Sequence, residues 1–171
     1  MGRPAISLVG PMGAGKTEVG KVVAGKLQRE FIDTDELVVK TDGRGIGQIF
    51  AEDGEAGFRK IESRILAEAA ARPGVVIACG GGAVLDPANV SVLKEAGKVV
   101  YLKASPQVSA SRVGSGEGRP LLASGETLAA LAGLFSERGS LYEEAADAVV
   151  IAEGTVDEIA SRVVDAVGED G

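Results

Sequence analysis

Eight residues near the start of the chain, Gly10-Pro11-Met12-Gly13-Ala14-Gly15-Lys16-Thr17, constrain it more than any other stretch. The apolar run Ala5 to Val9 leads into them, and behind Lys16 the residues Val19, Val22, Val23 and Leu27 recur at helical spacing. The segment therefore reads strand, loop, helix. Glycines let backbone N–H groups curl around an anion, and a helix N-terminus adds positive potential. The lysine can bridge outer phosphates, and the hydroxyl after it can ligate Mg²⁺. A glycine-rich turn with an exposed lysine would share the composition but would not require a strand before and a helix after.

The rest of the chain repeats the strand-helix alternation. Glu30 to Ile32 is a brief β-prone run stopped by Asp33-Thr34-Asp35, and Leu37, Val38 and Val39 suggest a short helix. Between Ile46 and Ala71 the apolar spacing predicts two helices divided near Asp53-Gly54. Val75 to Ala78 is the continuous apolar run of a strand buried on both faces, and it ends in Cys79-Gly80-Gly81-Gly82. A helix near Pro87 to Glu95, a strand at Val99 to Leu102, a helix from Pro106, a strand at Ala148 to Ile151 and a helix at Val156 to Val167 complete the series. Such alternation implies a parallel sheet covered on both faces. Gly114 to Gly125 is the one long irregular stretch and a lid candidate.

Composition narrows the chemistry. With 171 residues, one domain over 1–171 is expected. A net charge of −7 argues against a nucleic-acid partner, although local arginines can still hold a small anion. Cys79 is the only cysteine and there is no histidine, which removes internal disulfides, His-Cys zinc sites and Ser-His or Cys-His nucleophile pairs. A general base would have to be a carboxylate. No run approaches the ~18 apolar residues of a membrane span and no leader-like segment opens the chain, so a cytoplasmic protein without a membrane partner is expected.

Among nucleotide enzymes, a GTPase should carry an Asn-Lys-x-Asp segment, and this chain has none. A motor-type ATPase should close its buried third strand on an acidic residue, where this chain has Cys79 and three glycines. A small-molecule kinase is left. Asp33 and Asp35, two apart, would face the same side of an extended segment, one serving a metal and the other a substrate. A turn with a helix N-cap accounts for such a pair too. Arg59, Arg119 and Arg138 stand in separate segments and, with the glycine triplet, can clamp an acidic substrate and neutralise a transferring phosphoryl group.

In order and spacing the chain resembles shikimate kinase over essentially its whole length. The resemblance rests on the loop at 10–17, Phe31-Ile32-Asp33-Thr34-Asp35, Ile49-Phe50 with Gly54-Glu55 and Phe58-Arg59, and Gly80-Gly81-Gly82-Ala83-Val84. Arg119-Pro120-Leu121-Leu122, and Arg138 with Leu141-Tyr142, complete it. It implies a three-layer αβα P-loop fold with a five-stranded parallel sheet in the order 2-3-1-4-5, a substrate-binding helical region about 33–61 and a mobile lid about 112–125. The implied reaction is Mg²⁺-dependent transfer of the ATP γ-phosphoryl group to the 3-hydroxyl of shikimate by a monomer. Gly13, Ala14, Gly15, Lys16, Thr17, Glu18, Arg112 and Arg119 would bind ATP. Asp35, Arg59, Gly80, Gly81, Gly82 and Arg138 would bind shikimate. Thr17, and Asp33 through water, would serve the metal, with Lys16, Asp35 and Arg119 catalytic. The chain departs from the family pattern at Ala152-Glu153-Gly154-Thr155, where an Arg and a Pro are common, and at Ser140, where a Pro is common. A gluconate-type sugar-acid kinase and a catalytically silent nucleotide-binding module are the alternative readings.

Overall fold

The computed structural model describes residues 2–105, 108 and 138–169. Five parallel strands form the middle layer: β1 (Ala5–Val9), β2 (Phe31–Asp33), β3 (Val76–Ala78), β4 (Gly97–Lys103) and β5 (Ala148–Ile151). Their order is β2-β3-β1-β4-β5, as the resemblance implies. Among the described residues the longer helices are α1 (Lys16–Leu27), α2 (Thr34–Asp42), α3 (Ile46–Ala70), α4 (Pro87–Ala96), α5 (described over residues 138–145) and α6 (Val156–Ala166). The register Ile6↔Val76 and Leu8↔Val100 puts β1 at the centre of the sheet. That central position sends the loop after β1 to the middle of the strands' C-terminal edge, where ligands of open α/β sheets bind.

The alternation of side chains along the strands divides the core into two layers. Ile6, Leu8, Val100 and Leu102 face one way, onto Val19, Val23 and Leu27 of α1 and Ile159 and Val163 of α6. Ala5, Val9, Val99 and Tyr101 face the other way, onto Leu66 and Ala69 of α3, Leu93 of α4 and Tyr142 of α5. Gly20 lets α1 lie close on the sheet, because a Cβ there would stand 2.5 Å from the Phe31 ring. A smaller cluster, Val38, Ile49, Phe58 and Ile65, joins α2 to α3.

The division expected near Asp53-Gly54 is present as a kink in α3: Gly54, at φ 74° and ψ 177°, departs from helical backbone in a conformation few other residues adopt. One expectation is corrected. Asp33 and Asp35 do not share an extended segment, because Asp33 closes β2 and Asp35 already lies in the first turn of α2. The cause is the cap itself. Asp33 Oδ1 accepts from the backbone N–H groups of Asp35 and Glu36 at 2.9 and 3.2 Å, starting the helix one residue later.

At the foot of the sheet Arg29 donates to the Pro4 carbonyl at 2.6 Å and to Glu169, whose other oxygen pairs with Arg3 at 2.8 Å. Segments from both ends of the chain are tied there. Among the described residues no helix is long and apolar enough to cross a membrane. The helix expected from Pro106, the irregular stretch Gly114 to Gly125, and Arg112 and Arg119 lie outside the described residues.

Candidate active site

The turn between β1 and α1 is shaped by Gly10, Gly13 and Gly15, at φ 148°, 81° and 92°, a region that L side chains rarely enter. Space excludes a side chain at Gly10 as well, since a Cβ there would stand 2.6 Å from the Leu102 carbonyl oxygen. Lys16 folds back across the loop, its Nζ donating to the carbonyls of Gly10 at 2.7 Å and Pro11 at 2.9 Å. Ala14 is buried beneath the loop, and its N–H donates to the Pro11 carbonyl at 3.2 Å.

Thr17 Oγ1 donates to Asp33 Oδ2 at 2.5 Å. One carboxylate thus joins the phosphate loop to the start of α2, since its other oxygen makes the cap. Asp33 is the helix cap, and its second oxygen meets the hydroxyl that was expected to serve a metal.

A cleft of about 820 Å³ opens from this loop across the ends of β2 and β3. It is lined by Gly13, Gly15, Lys16, Thr17, Glu18, Asp33, Asp35, Arg59, Gly80, Gly81, Gly82 and Arg138, together with Phe50 and Phe58. Every described residue expected to bind ligand except Ala14 therefore faces one space. Side chains from three directions converge on Gly80 and Gly82. A Cβ on Gly80 would stand 2.7 Å from Glu62 Oε2 and 2.9 Å from Asp35 Oδ1, and one on Gly82 would stand 2.4 Å from Arg59 Nη1. Thr34, fully buried, holds the turn in place by accepting from the Gly80 N–H at 3.0 Å.

Glu62 was not foreseen from sequence. It is 1% exposed, its Oε1 accepts from Arg59 Nη1 at 2.9 Å, and its Oε2 is buried without a hydrogen-bond partner. Burial holds its carboxyl above the usual carboxylate range, and the charge of Arg59 opposes that. The signal available was an acid set inside the apolar stripe of α3, four residues after Phe58 and three before Ile65. Arg59 also lies over the Phe58 ring, 5.3 Å from its centroid, while Phe50 packs on Phe58 at 4.8 Å. Arg138 is 5% exposed and projects into the same end of the cleft. Cys79 lies there too, but burial pushes its thiol up to about 12, so it stays protonated and is no nucleophile.

On the opposite wall Gly154, Thr155, Val156 and Ile159 complete the cleft. The loop that departs from the family pattern is ordered by other means. Arg162 Nη1 donates to the carbonyls of Ile151 at 2.9 Å and Glu153 at 2.6 Å, and Thr155 Oγ1 caps α6 by accepting from the Glu158 N–H at 3.1 Å.

A phosphate loop on the central strand of a parallel sheet, opening into a cleft that ends in carboxylates, arginines and a glycine turn, defines a P-loop phosphotransferase with a small acceptor. The family model for shikimate kinase matches residues 12–168. A shikimate kinase of Psychrobacter sp. (strain PRwf-1) is 46% identical over 147 residues, which are 86% of this chain and 82% of the relative. The solved shikimate kinase of Acinetobacter baumannii, in complex with shikimate, superposes with a TM-score of 0.92 at 38% identity, covering 95% of this chain and 92% of that one. A gluconokinase from Sinorhizobium meliloti reaches a TM-score of 0.66 at 19% identity, covering 96% of this chain and 91% of that one, and shares the fold. The chain belongs to the shikimate kinase family.

Proposed function

We propose that this chain transfers the γ-phosphoryl group of ATP to the 3-hydroxyl of shikimate, giving shikimate 3-phosphate and ADP, as a single cytoplasmic catalytic unit. The observation that carries the reading is the one cleft in which a phosphate loop meets Asp35, Arg59, the glycine turn and Arg138. The shikimate-bound relative from A. baumannii supports the choice of acceptor.

The donor set suits Mg²⁺. Among the described residues there is no cluster of three or more His, Cys, Asp or Glu side chains able to hold a metal, and Mg²⁺ characteristically takes one or two protein oxygens and completes its shell with phosphates and water. Thr17 would ligate the ion and Asp33 would hold it through water. When bound, the ion would neutralise charge that develops on the transferred group.

The chain's own groups supply the rest. Lys16 exchanges its two carbonyl partners for phosphate oxygens, and the N–H groups of Gly13, Gly15 and the start of α1, with Glu18 alongside, surround the phosphates. Arg59 and Arg138 take the carboxylate of the acid with Gly80, Gly81 and Gly82 beside it, which orients the ring. Asp35 accepts a hydrogen bond from the attacking hydroxyl, either orienting it or receiving its proton late. Phosphoryl transfer passes through a loose, highly charged transition state, so alignment and charge balance dominate the catalysis. The roles of Arg112 beside adenine and of Arg119 on the transferring group rest on the resemblance alone.

The test is ADP release from MgATP with shikimate, with gluconate and with no acceptor. Shikimate should raise the rate far above the other two. ADP release that does not respond to shikimate sinks the proposal, a response to gluconate alone assigns a sugar-acid kinase, and nucleotide binding without turnover of either acid assigns a silent module.

A further inference from the structure

Behind the glycine turn lies a phenol that the roles above do not use. Tyr142 follows Arg138 by four residues on α5, so the two side chains leave the same face of the helix. The Tyr142 ring is 2% exposed and packs on Tyr101 of β4, with centroids 5.1 Å apart. Its hydroxyl donates to the Gly81 carbonyl at 2.6 Å, and the positive charge of the Arg138 guanidinium bears on the same phenol. The phenol oxygen therefore binds the glycine turn while lying in the field of the arginine one helical turn away.

The geometry has a directional result. A trans peptide is planar, so fixing the Gly81 carbonyl toward Tyr142 fixes the Gly82 N–H in the opposite direction. Glycines have no side chain of their own to hold that plane. Arg138 Nη1 lies only 3.9 Å from the point where a Cβ on Gly81 would stand, and Arg138, Gly81 and Gly82 all line the cleft. The fork of Arg138 and the Gly81–Gly82 peptide thus lie side by side, with one buried phenol behind them.

We propose that Tyr142 is the positioning residue for the carboxylate end of the acceptor site: without touching the acid, it sets the angle between Arg138 and the Gly81–Gly82 peptide. This rests on the reading of the cleft as the site of an acidic acceptor. Selectivity for a charged acid over an uncharged analogue then depends on the Tyr142 hydroxyl, because a free guanidinium and a free peptide plane lose their shared alignment.

The experiment compares Tyr142→Phe with wild type on shikimate and on its methyl ester. The KM for shikimate should rise about tenfold, the effect of one misaligned charge-assisted hydrogen bond, with kcat and the nucleotide KM little changed. The ester should respond weakly, so the acid-over-ester ratio of kcat/KM falls about tenfold. A lower Tm with an unchanged ratio would mean a merely structural role and overturns the proposal. A second readout does not need that variant to fold. The chain has two tyrosines, so 3-fluorotyrosine in a Tyr101→Phe background labels Tyr142 alone. Its fluorine resonance should move when shikimate is added and stay in place with MgADP, and a resonance that ignores shikimate overturns the proposal. Wild-type enzyme inert toward shikimate would overturn the functional reading as well, whereas normal wild-type turnover with an unaltered ratio in Tyr142→Phe overturns this inference alone.

Discussion

Replacing Asp33 by alanine and, separately, by asparagine separates two duties that one carboxylate performs. Its Oδ1 caps α2 through the N–H groups of Asp35 and Glu36, and its Oδ2 holds the Thr17 hydroxyl at 2.5 Å. Alanine removes both. Loss of an N-cap costs about 1 kcal/mol, and loss of the hydroxyl's part-buried acceptor about as much again. For a domain of this size the combined loss lowers Tm by about 4–8 °C. Asparagine caps as well as aspartate, and its amide Nδ2, standing where Oδ2 stood, can donate to Thr17 Oγ1 in place of accepting from it, so Asp33→Asn should melt within about 2 °C of wild type. Its activity should fall nonetheless. A neutral amide cannot hold a hydrated divalent cation as a carboxylate does, and losing such an outer partner costs about 10–100-fold. Thermal melting by circular dichroism and a coupled assay of ADP release measure the two effects. The reasoning fails if Asp33→Asn melts as low as Asp33→Ala, which denies the cap, or turns over at the wild-type rate, which denies the metal role.

Arg138→Ala should raise the shikimate KM by about 10–100-fold, the worth of hydrogen bonds to a charged group, and leave the nucleotide KM within about twofold; a parallel loss of nucleotide affinity contradicts the clamp. Lys16→Ala should abolish turnover while the protein still folds, since the Lys16 ammonium stands in the cleft, part-buried over the loop carbonyls of Gly10 and Pro11, and not in the core, and collapse of the circular dichroism spectrum would deny that its service is to the ligand. Glu62 predicts a pH effect of definite sign. Its carboxyl is raised above the ordinary 4.5 by burial, so the folded state binds its proton more tightly than the unfolded one. That contribution to stability is complete below the unfolded pKa and is lost as pH rises through the folded one. Denaturant titrations should show wild type losing stability relative to Glu62→Gln as pH climbs from 4.5, and a difference that stays flat with pH contradicts the raised pKa.

How far the sequence carries depends on how local each cause is. β1 and β5 occur at the residues read from their apolar runs, and the phosphate loop was legible because its glycines, lysine and threonine are contiguous. The kink at Gly54 was legible for the same reason. The Asp33-Thr34-Asp35 turn was misjudged because a cap moves a helix boundary by a residue or two, and periodicity does not resolve that. Glu62 escaped notice because an acid in a helix ordinarily belongs to solvent, and only the approach of Gly80 and Arg59 shows what buries it. The role of Tyr142 depends on Gly81, sixty-one positions earlier in the chain, a pairing no local pattern encodes. The sheet order required the family resemblance, since alternation alone gives parallel strands without their sequence across the sheet.

The ties among Arg3, Arg29 and Glu169 at the foot of the sheet bear on how this protein can be tethered. Arg3 precedes the start of β1, and the cleft lies at the strands' other ends, so the two joined segments sit on the side away from the ligands. For that reason a resin, a surface or a fused partner attached near either joined segment leaves the mouth of the cleft clear.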